Sequence, residues 1–303
     1  DSDDRLSNIR TKFNMDKYRP LKNNILVLAE PRTGSGLLCR LIVEDPDTRM
    51  LGEFFSAGRM SIAQHVNIFR AYLKDRNISG IKHYQKMLHY LSQAESFDVF
   101  HDAKNFLSIE TLEELIQFED RSLCLKLFDN HIETQKLDIE KLLSLFNYVI
   151  FLYRFDVLNA FISWKKAYET NVWSSLAEDW KDYRSYRIEW NLQEYKDYYE
   201  RYTRRYKNIL NIFKRDDNKK KAVVCYENLE RCKNKYEYVQ KILQDSGMDK
   251  NIMPIPNSTE YEVDPVCKQA LPVSLEENFT NKKDFLRDYH LIEDISFYEP
   301  DLG

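Results

Sequence analysis

Short runs of apolar residues alternate along the chain with segments in which apolar residues recur at every third or fourth position. A short continuous apolar run is typical of a strand buried in a parallel sheet, whereas the longer spacing is typical of an amphipathic helix. This alternation predicts an α/β fold, a parallel sheet flanked by helices. The predicted strands cover residues 25–29, 122–128, 148–153 and 222–227, and predicted helices begin near residues 37, 112, 139, 156, 189 and 233.

The chain of 303 residues is long enough for one large domain, and no linker clearly divides it. We expect a single domain over residues 1–303, with a polar N-terminal segment at 1–23 and a loop-rich C-terminal segment at 248–303. Two helices at 60–96 form an insert that suits an acceptor-binding wall or a piece of scaffold. Tyrosines at helical spacing in 189–214 predict a core-facing helix side rather than a nucleic-acid stacking surface.

Charge and composition exclude several classes of protein. The chain has 45 Lys+Arg against 49 Asp+Glu, a formal net charge of -4, which argues against nucleic-acid binding. No window reaches the roughly 18 apolar residues that a membrane span needs. Five scattered cysteines predict reduced thiols and a cytoplasmic protein; because the sequence starts at Asp1, a secretory lumen after loss of an N-terminal anchor is the alternative.

The glycines give the first specific signal. The chain has only 7, and two of them, Gly34 and Gly36, lie in the loop 31–36 between the first predicted strand and a helix. A loop that leads from a strand into a helix N-terminus directs backbone N–H groups and the helix dipole at one point, which suits a phosphate. An ordinary strand–helix turn rich in small residues is the alternative interpretation.

The loop departs from the common nucleotide motifs. A triphosphate loop, GxxxxGK[ST], has a lysine and a hydroxyl after its last glycine, where this chain has Leu37 and Leu38. A dinucleotide fingerprint, GxGxxG, needs a third glycine where Cys39 stands. The cation of this loop, Arg32, instead precedes the glycines, which favours a phosphate bound without a metal–triphosphate system.

The segment Pro-Arg-Thr-Gly-Ser-Gly-Leu-Leu at 31–38 resembles the 5′-phosphosulfate loop of sulfotransferases that use 3′-phosphoadenosine 5′-phosphosulfate (PAPS), and more narrowly the trehalose 2-sulfotransferase-like family. The resemblance implies the sulfotransferase fold, with a P-loop-type parallel sheet. It also implies a set of cofactor-binding residues: Arg32, Thr33, Gly34, Ser35, Gly36 and Leu37. Gly36 departs from the family, which usually has a hydroxyl residue there. The side-chain contact of that hydroxyl to the phosphate is therefore missing, and the backbone N–H donors remain.

A second motif follows the predicted strand 148–153. Arg154 ends the strand, Asp156 is a candidate N-cap, and Ser163 lies two turns into the next helix. Sulfotransferases bind the 3′-phosphate of the cofactor with an Arg and a Ser at this spacing, so the resemblance assigns Arg154 and Ser163 to that phosphate. The alternatives are an Arg154–Asp156 ion pair and a helix-face hydroxyl. The stretch up to Trp173 also resembles the family, although a core role explains Trp173 too.

The resemblance also implies catalytic residues. Glu53, followed by two phenylalanines, matches the glutamate that the family is proposed to use as a base, and such a partly desolvated carboxylate suits removal of the acceptor proton. A structural or substrate-binding role is the alternative. Arg32 and Lys126 are candidate cations for the charge that develops on the leaving group, with a solvent-facing strand position as the alternative for Lys126. Lys268 weakly matches a basic segment that closes over the nucleotide.

These observations predict a PAPS-dependent sulfotransferase with 3′-phosphoadenosine 5′-phosphate (PAP) as product and no metal. The predicted acceptor is a hydroxyl, or an amine or carbamoyl nitrogen, of a small molecule or carbohydrate. A second copy of the chain is a partner to be tested. The alternatives are a P-loop small-molecule kinase, which Mg²⁺-dependent ATP binding would support, and an inactive relative, which nucleotide binding without turnover would support.

Overall fold

A computed structural model of the chain describes residues 23–44, 47–56, 108–118, 121–173, 180–215, 219–247 and 274–302. The predicted insert at 60–96, residues 1–22 and Lys268 lie outside this part of the chain, and the predicted division of the domain stays a prediction. The strands are β1 Ile25–Leu28, β2 Thr48–Gly52, β3 Ser122–Leu127, β4 Tyr148–Tyr153 and β5 Lys220–Cys225. The α-helices are α1 Ser35–Val43, α2 Ile109–Phe118, α3 Asp129–Gln135, α4 Ile139–Ser144, α5 Val157–Thr170, α6 Trp180–Ser185, α7 Leu192–Lys214, α8 Tyr226–Arg231, α9 Lys235–Asp245 and α10 Lys282–Asp288, and short 3₁₀ helices cover Leu275–Asn278, Tyr289–Leu291 and Glu293–Ile295.

The five strands form one parallel sheet in the order β2-β3-β1-β4-β5. This confirms the predicted α/β fold with a parallel sheet. The chain leaves β1 toward the β2 edge and leaves β4 toward the β5 edge, so the order reverses between β1 and β4. In open parallel sheets, the crevice at the carboxyl ends of two such strands is the usual place for a ligand.

Alternation along β1 explains why the sheet is buried on both faces. Leu26 and Leu28 belong to one apolar cluster, whereas Ile25 and Val27 belong to a second cluster on the other face. The first cluster includes the tyrosine side of α7, whose Tyr195, Tyr202 and Tyr206 are buried, as predicted for a core-facing helix. The second cluster includes residues of α1 and α9.

Sequence-encoded caps set where two helices of the site begin. Asp156 caps α5, because its carboxylate accepts the backbone N–H of Asn159 at 2.9 Å. Asn191 caps α7 in the same way through the N–H of Glu194, so α7 begins three residues later than the periodicity predicts. The edge strand β2 was not predicted, since Arg49 interrupts its apolar residues.

Candidate active site

The loop after β1 has the geometry of an anion cradle. Gly34 stands at the N-cap of α1 with φ 79°, a conformation that favours glycine. The first carbonyl bond of the helix runs from the N–H of Leu38 to the oxygen of Gly34. Helix geometry therefore leaves the N–H groups of Ser35, Gly36 and Leu37 without a carbonyl partner inside α1, at the positive end of its dipole.

The hydroxyl side chains of this loop are buried, and they are therefore less available to an anion than the sequence motif suggests. The hydroxyl of Thr33 is fully buried and donates to the carbonyl oxygen of Glu30 at 2.5 Å, so it braces the loop from inside. Ser35 is 5% exposed at the start of α1, and a Cβ at Gly36 would have open space around it. The Thr33 hydroxyl is therefore engaged within the loop itself, which leaves the backbone N–H groups as the donors at the start of α1.

Arg32 crosses from this loop to α5. Its Nε donates to Ser163 Oγ at 3.0 Å, its Nη2 to the hydroxyl of Tyr183 at 2.9 Å, and its Nη1 to the carbonyl oxygen of Trp173 at 2.8 Å. The backbone of Arg32 is left-handed, with φ 68°, which costs a non-glycine residue on the order of 1 kcal/mol. The structure thus brings together Arg32 and Ser163, which the sequence assigned to different phosphates. Trp173 is 47% exposed and is not a core residue.

Arg154 meets the same loop from the end of β4. Its Nη1 donates to the carbonyl oxygen of Arg32 at 3.1 Å, and the residue is 3% exposed. The ion pair suggested with Asp156 does not form; the carboxylate facing Arg154 is Glu227, with Oε1 at 3.8 Å from Nε. Burial opposes the charge on Arg154, but the facing oxygens of Tyr226, Asp156 and Glu227 outweigh burial, and the pKa of the guanidinium rises.

Glu53 and Lys126 lie together at the β2–β3 side of the sheet. Lys126 Nζ is 2.8 Å from Glu53 Oε1, and the two side chains are 14% and 31% exposed. Glu53 is thus only partly desolvated, and a cation holds its carboxylate. The other oxygen, Oε2, lies 4.0 Å from Nε2 of the buried His131, whose Nδ1 accepts the N–H of Phe128 at 3.4 Å.

Sequence reasoning missed a buried acid beside the loop. Glu30 is 2% exposed; one of its oxygens accepts the N–H of Asp129, and the other lies 3.5 Å from Arg205 Nη1. Burial raises the pKa of Glu30 to about 8, although the charge of Arg205 opposes the shift. A single acidic residue next to a proline gives no sequence signal of such a position. Only the fold brings four further residues to the site, so no sequence pattern indicated them: Tyr183, Tyr226, Glu227 and His131.

A family comparison now bears on these residues. The family described as Stf0 sulphotransferase matches residues 24–267, which includes β1 to β5 and both predicted phosphate motifs. The chain belongs to the Stf0 sulphotransferase family. This membership confirms the predicted trehalose 2-sulfotransferase-like family and the predicted enzyme class, a transferase of sulfuryl groups. No curated protein matches the chain in sequence.

Among solved structures, this sulphotransferase is similar to mouse sulfotransferase SULT7A1, crystallised with PAP. The identity is 11%, and the match covers 92% of this chain and 85% of the other. The TM-score of 0.33 is too low for that structure to inform the site. Within the described ranges, no group of three or more His, Cys, Asp and Glu side chains could hold a metal ion. In the same part of the chain, no helix has the length and apolarity required to cross a bilayer.

Proposed function

We propose that this sulphotransferase binds PAPS in the crevice between β1 and β4 and transfers its sulfuryl group to a small-molecule or carbohydrate acceptor. One observation carries the proposal. Two segments far apart in sequence, both resembling cofactor-binding motifs, meet at this crevice through the bond from Arg154 to the Arg32 carbonyl and the bond from Arg32 to Ser163. Family membership supports PAPS as the sulfuryl donor and PAP as the product.

In this assignment, the backbone N–H groups of Ser35, Gly36 and Leu37 hold the 5′-phosphosulfate, together with Gly34 at the turn. Arg154 and Ser163 hold the 3′-phosphate, and Arg32 lies between the two phosphates, where its charge offsets both. Thr33 contributes through its backbone and braces the loop. The role of Lys268 in covering the nucleotide stays a prediction.

The chemistry is an in-line displacement at sulfur. Glu53 takes the proton of the acceptor hydroxyl while the hydroxyl oxygen attacks sulfur. The new S–O bond forms as the bond from sulfur to the 5′-phosphate oxygen breaks. Lys126, whose Nζ is 2.8 Å from Glu53 Oε1, offsets charge on the leaving oxygen, while the bond of Arg32 to Ser163 on α5 favours a binding role for Arg32. An amine or carbamoyl nitrogen is accommodated by the same proton transfer.

The location and assembly of the enzyme are also proposals. The described cysteines Cys39, Cys124, Cys225 and Cys232 are not joined in disulfides, which supports a reducing compartment such as the cytoplasm. A homodimer is to be tested by measuring mass in solution.

Nucleotide selectivity tests the proposal. PAP should raise the melting temperature far more than AMP, because AMP lacks the 3′-phosphate and has the same adenosine and 5′-phosphate. Arg154→Ala should remove the difference, whereas Arg215→Ala, which removes an exposed arginine paired with Glu140, should leave it intact. Equal shifts with PAP and AMP in the unmodified enzyme would contradict the assignment.

A further inference from the structure

The turn at the end of β5 touches both predicted phosphate motifs, although nothing in its sequence resembles a cofactor-binding segment. It contains Tyr226, the first residue of α8, and Glu227, the second. Tyr226 contacts the loop after β1 and the arginine after β4, and Glu227 contacts the residues that follow β4. We call these two residues the β5 clamp.

Tyr226 fills the space between the loop after β1 and Arg154. A Cβ added at Gly34 would lie 2.2 Å from the ring carbon Cδ2, so the ring presses directly on the glycine of the anion cradle. The same ring lies under the guanidinium of Arg154, whose Cζ is 4.8 Å from the ring centroid. A cation this close to an aromatic ring is stabilised by it, and more so when both groups are desolvated; Tyr226 is 3% exposed.

Glu227 fixes the backbone from which Arg154 projects. One carboxylate oxygen accepts the N–H of Phe155 at 2.9 Å and the other accepts the N–H of Asp156 at 3.0 Å. These are the two residues that follow Arg154, so the direction in which β4 ends is set by this carboxylate. The carboxylate also faces Arg154 at 3.8 Å, which is an ion pair but too long for a hydrogen bond.

We propose that Tyr226 and Glu227 are positioning residues that hold the Arg154 guanidinium in the orientation that receives the 3′-phosphate of the cofactor. This inference rests on the proposed function, and it adds two residues from the start of α8, after β5, to the site. Arg154 keeps Nη1 on the Arg32 carbonyl, while its Nε makes no hydrogen bond to any described residue. The clamp thus holds the side chain through the ring under the guanidinium and through the charge of Glu227, without a hydrogen bond to Nε.

Fixing the side chain in advance matters because an arginine otherwise loses rotamer freedom when it binds. A binding residue that is already held in place avoids most of that loss. Removing the clamp should therefore weaken the contact with the 3′-phosphate specifically. The 5′-phosphate and adenosine, which AMP shares with PAP, provide the internal reference.

Tyr226→Leu tests the ring, with Tyr226→Phe as the conservative variant. Leu keeps an apolar side chain but removes the aromatic face, so the PAP dissociation constant should rise about tenfold while that of AMP changes by less than about twofold. Phe keeps the face and should restore the preference for PAP. Calorimetric titration with both nucleotides measures this. An equal loss for PAP and AMP would show that Tyr226 serves only general packing, and would overturn its positioning role.

Glu227→Gln tests the carboxylate without depending on the ring. We expect the PAP preference to fall about tenfold. The amide oxygen can accept only one of the two backbone N–H groups, and Arg154 loses the negative charge that faces it. In the Arg154→Ala background the same change should have no further effect on the preference, as expected for residues that act through one another. Glu194→Gln, which removes a carboxylate partner of the buried Lys165, is the matched control and should leave the preference unchanged.

The possible outcomes separate the two proposals. If the unmodified enzyme does not prefer PAP over AMP, the phosphate assignment and the clamp both fail. If the unmodified enzyme prefers PAP and Glu227→Gln keeps or increases that preference, the clamp is overturned and the phosphate assignment stands. An additive loss in the double variant would equally contradict action through Arg154.

Discussion

Where Arg32, Arg154 and Ser163 meet, the exposed fractions are 9%, 3% and 6%, whereas the side chain of Glu53 is 31% exposed. The first region, which we call the cofactor end, is joined by hydrogen bonds between the loop after β1, the end of β4 and α5. The second, the base end, is an ion pair between Glu53, which follows the edge strand β2, and Lys126 of the neighbouring strand β3. Under the proposed assignment, this difference places donor binding in the core and the chemical step where an acceptor can enter.

The largest expected effect separates the two ends by function. Glu53→Gln removes the base and keeps a hydrogen-bonding side chain of the same shape, so turnover should fall by about 10² or more. PAP affinity should change by less than about twofold, because Glu53 lies outside the cofactor end. Labelled-sulfate transfer to an acceptor found by screening measures the first quantity, and calorimetry the second.

Glu140→Gln is the control for this variant, since Glu140 is an exposed glutamate paired with Arg215. It should leave both turnover and affinity unchanged. A Glu53→Gln enzyme with normal turnover would remove Glu53 as the base, and a large loss of PAP affinity would show that the two ends are not separable.

The second prediction concerns the rigidity of the cofactor end. Gly34→Ala places a Cβ against Tyr226 at a position with φ 79°, and should lower the free energy of unfolding by about 1–3 kcal/mol. Gly36→Ala is the matched control two residues away. It lies inside α1 with open space around its Cβ, so it should raise that free energy by up to about 1 kcal/mol. Denaturant unfolding without ligand measures both, and equal effects would contradict the described packing.

The comparison also shows how far the sequence can predict this site. The strand β4, the helix α5 and its cap Asp156 were predicted because they depend on local pattern. The route of Arg32 to Ser163 could not be predicted, since it depends on the left-handed backbone of Arg32 and on a contact 131 residues away. The partner of Arg154 was misjudged for the same reason, because Asp156 nearby is used as a cap and Glu227 comes from α8, 73 residues further along the chain.

A last expected effect depends on pH and sharpens the picture of the cofactor end. Because the pKa of Glu30 is raised from 4.5 to about 8, the folded state holds a proton that the unfolded state releases between these values. The stability contributed by Glu30 is therefore present at low pH and is lost as pH rises through about 8.

Glu30→Gln tests this linkage, since the amide oxygen can still accept the N–H of Asp129. Relative to this variant, the unmodified enzyme should lose on the order of 4 kcal/mol of unfolding free energy between pH 5 and pH 9. Arg205→Ala should enlarge the loss, because Arg205 opposes the shift. Urea unfolding at a series of pH values measures it, and parallel pH profiles for enzyme and variant would contradict a buried, protonated Glu30.

A crystal structure of the enzyme with PAP tests the central claim most directly. The account predicts the 3′-phosphate within hydrogen-bonding distance of Arg154 and Ser163, and the 5′-phosphate at the N–H groups of Ser35, Gly36 and Leu37. PAP bound elsewhere on the molecule, or bound in the crevice with its 3′-phosphate away from Arg154, would contradict it.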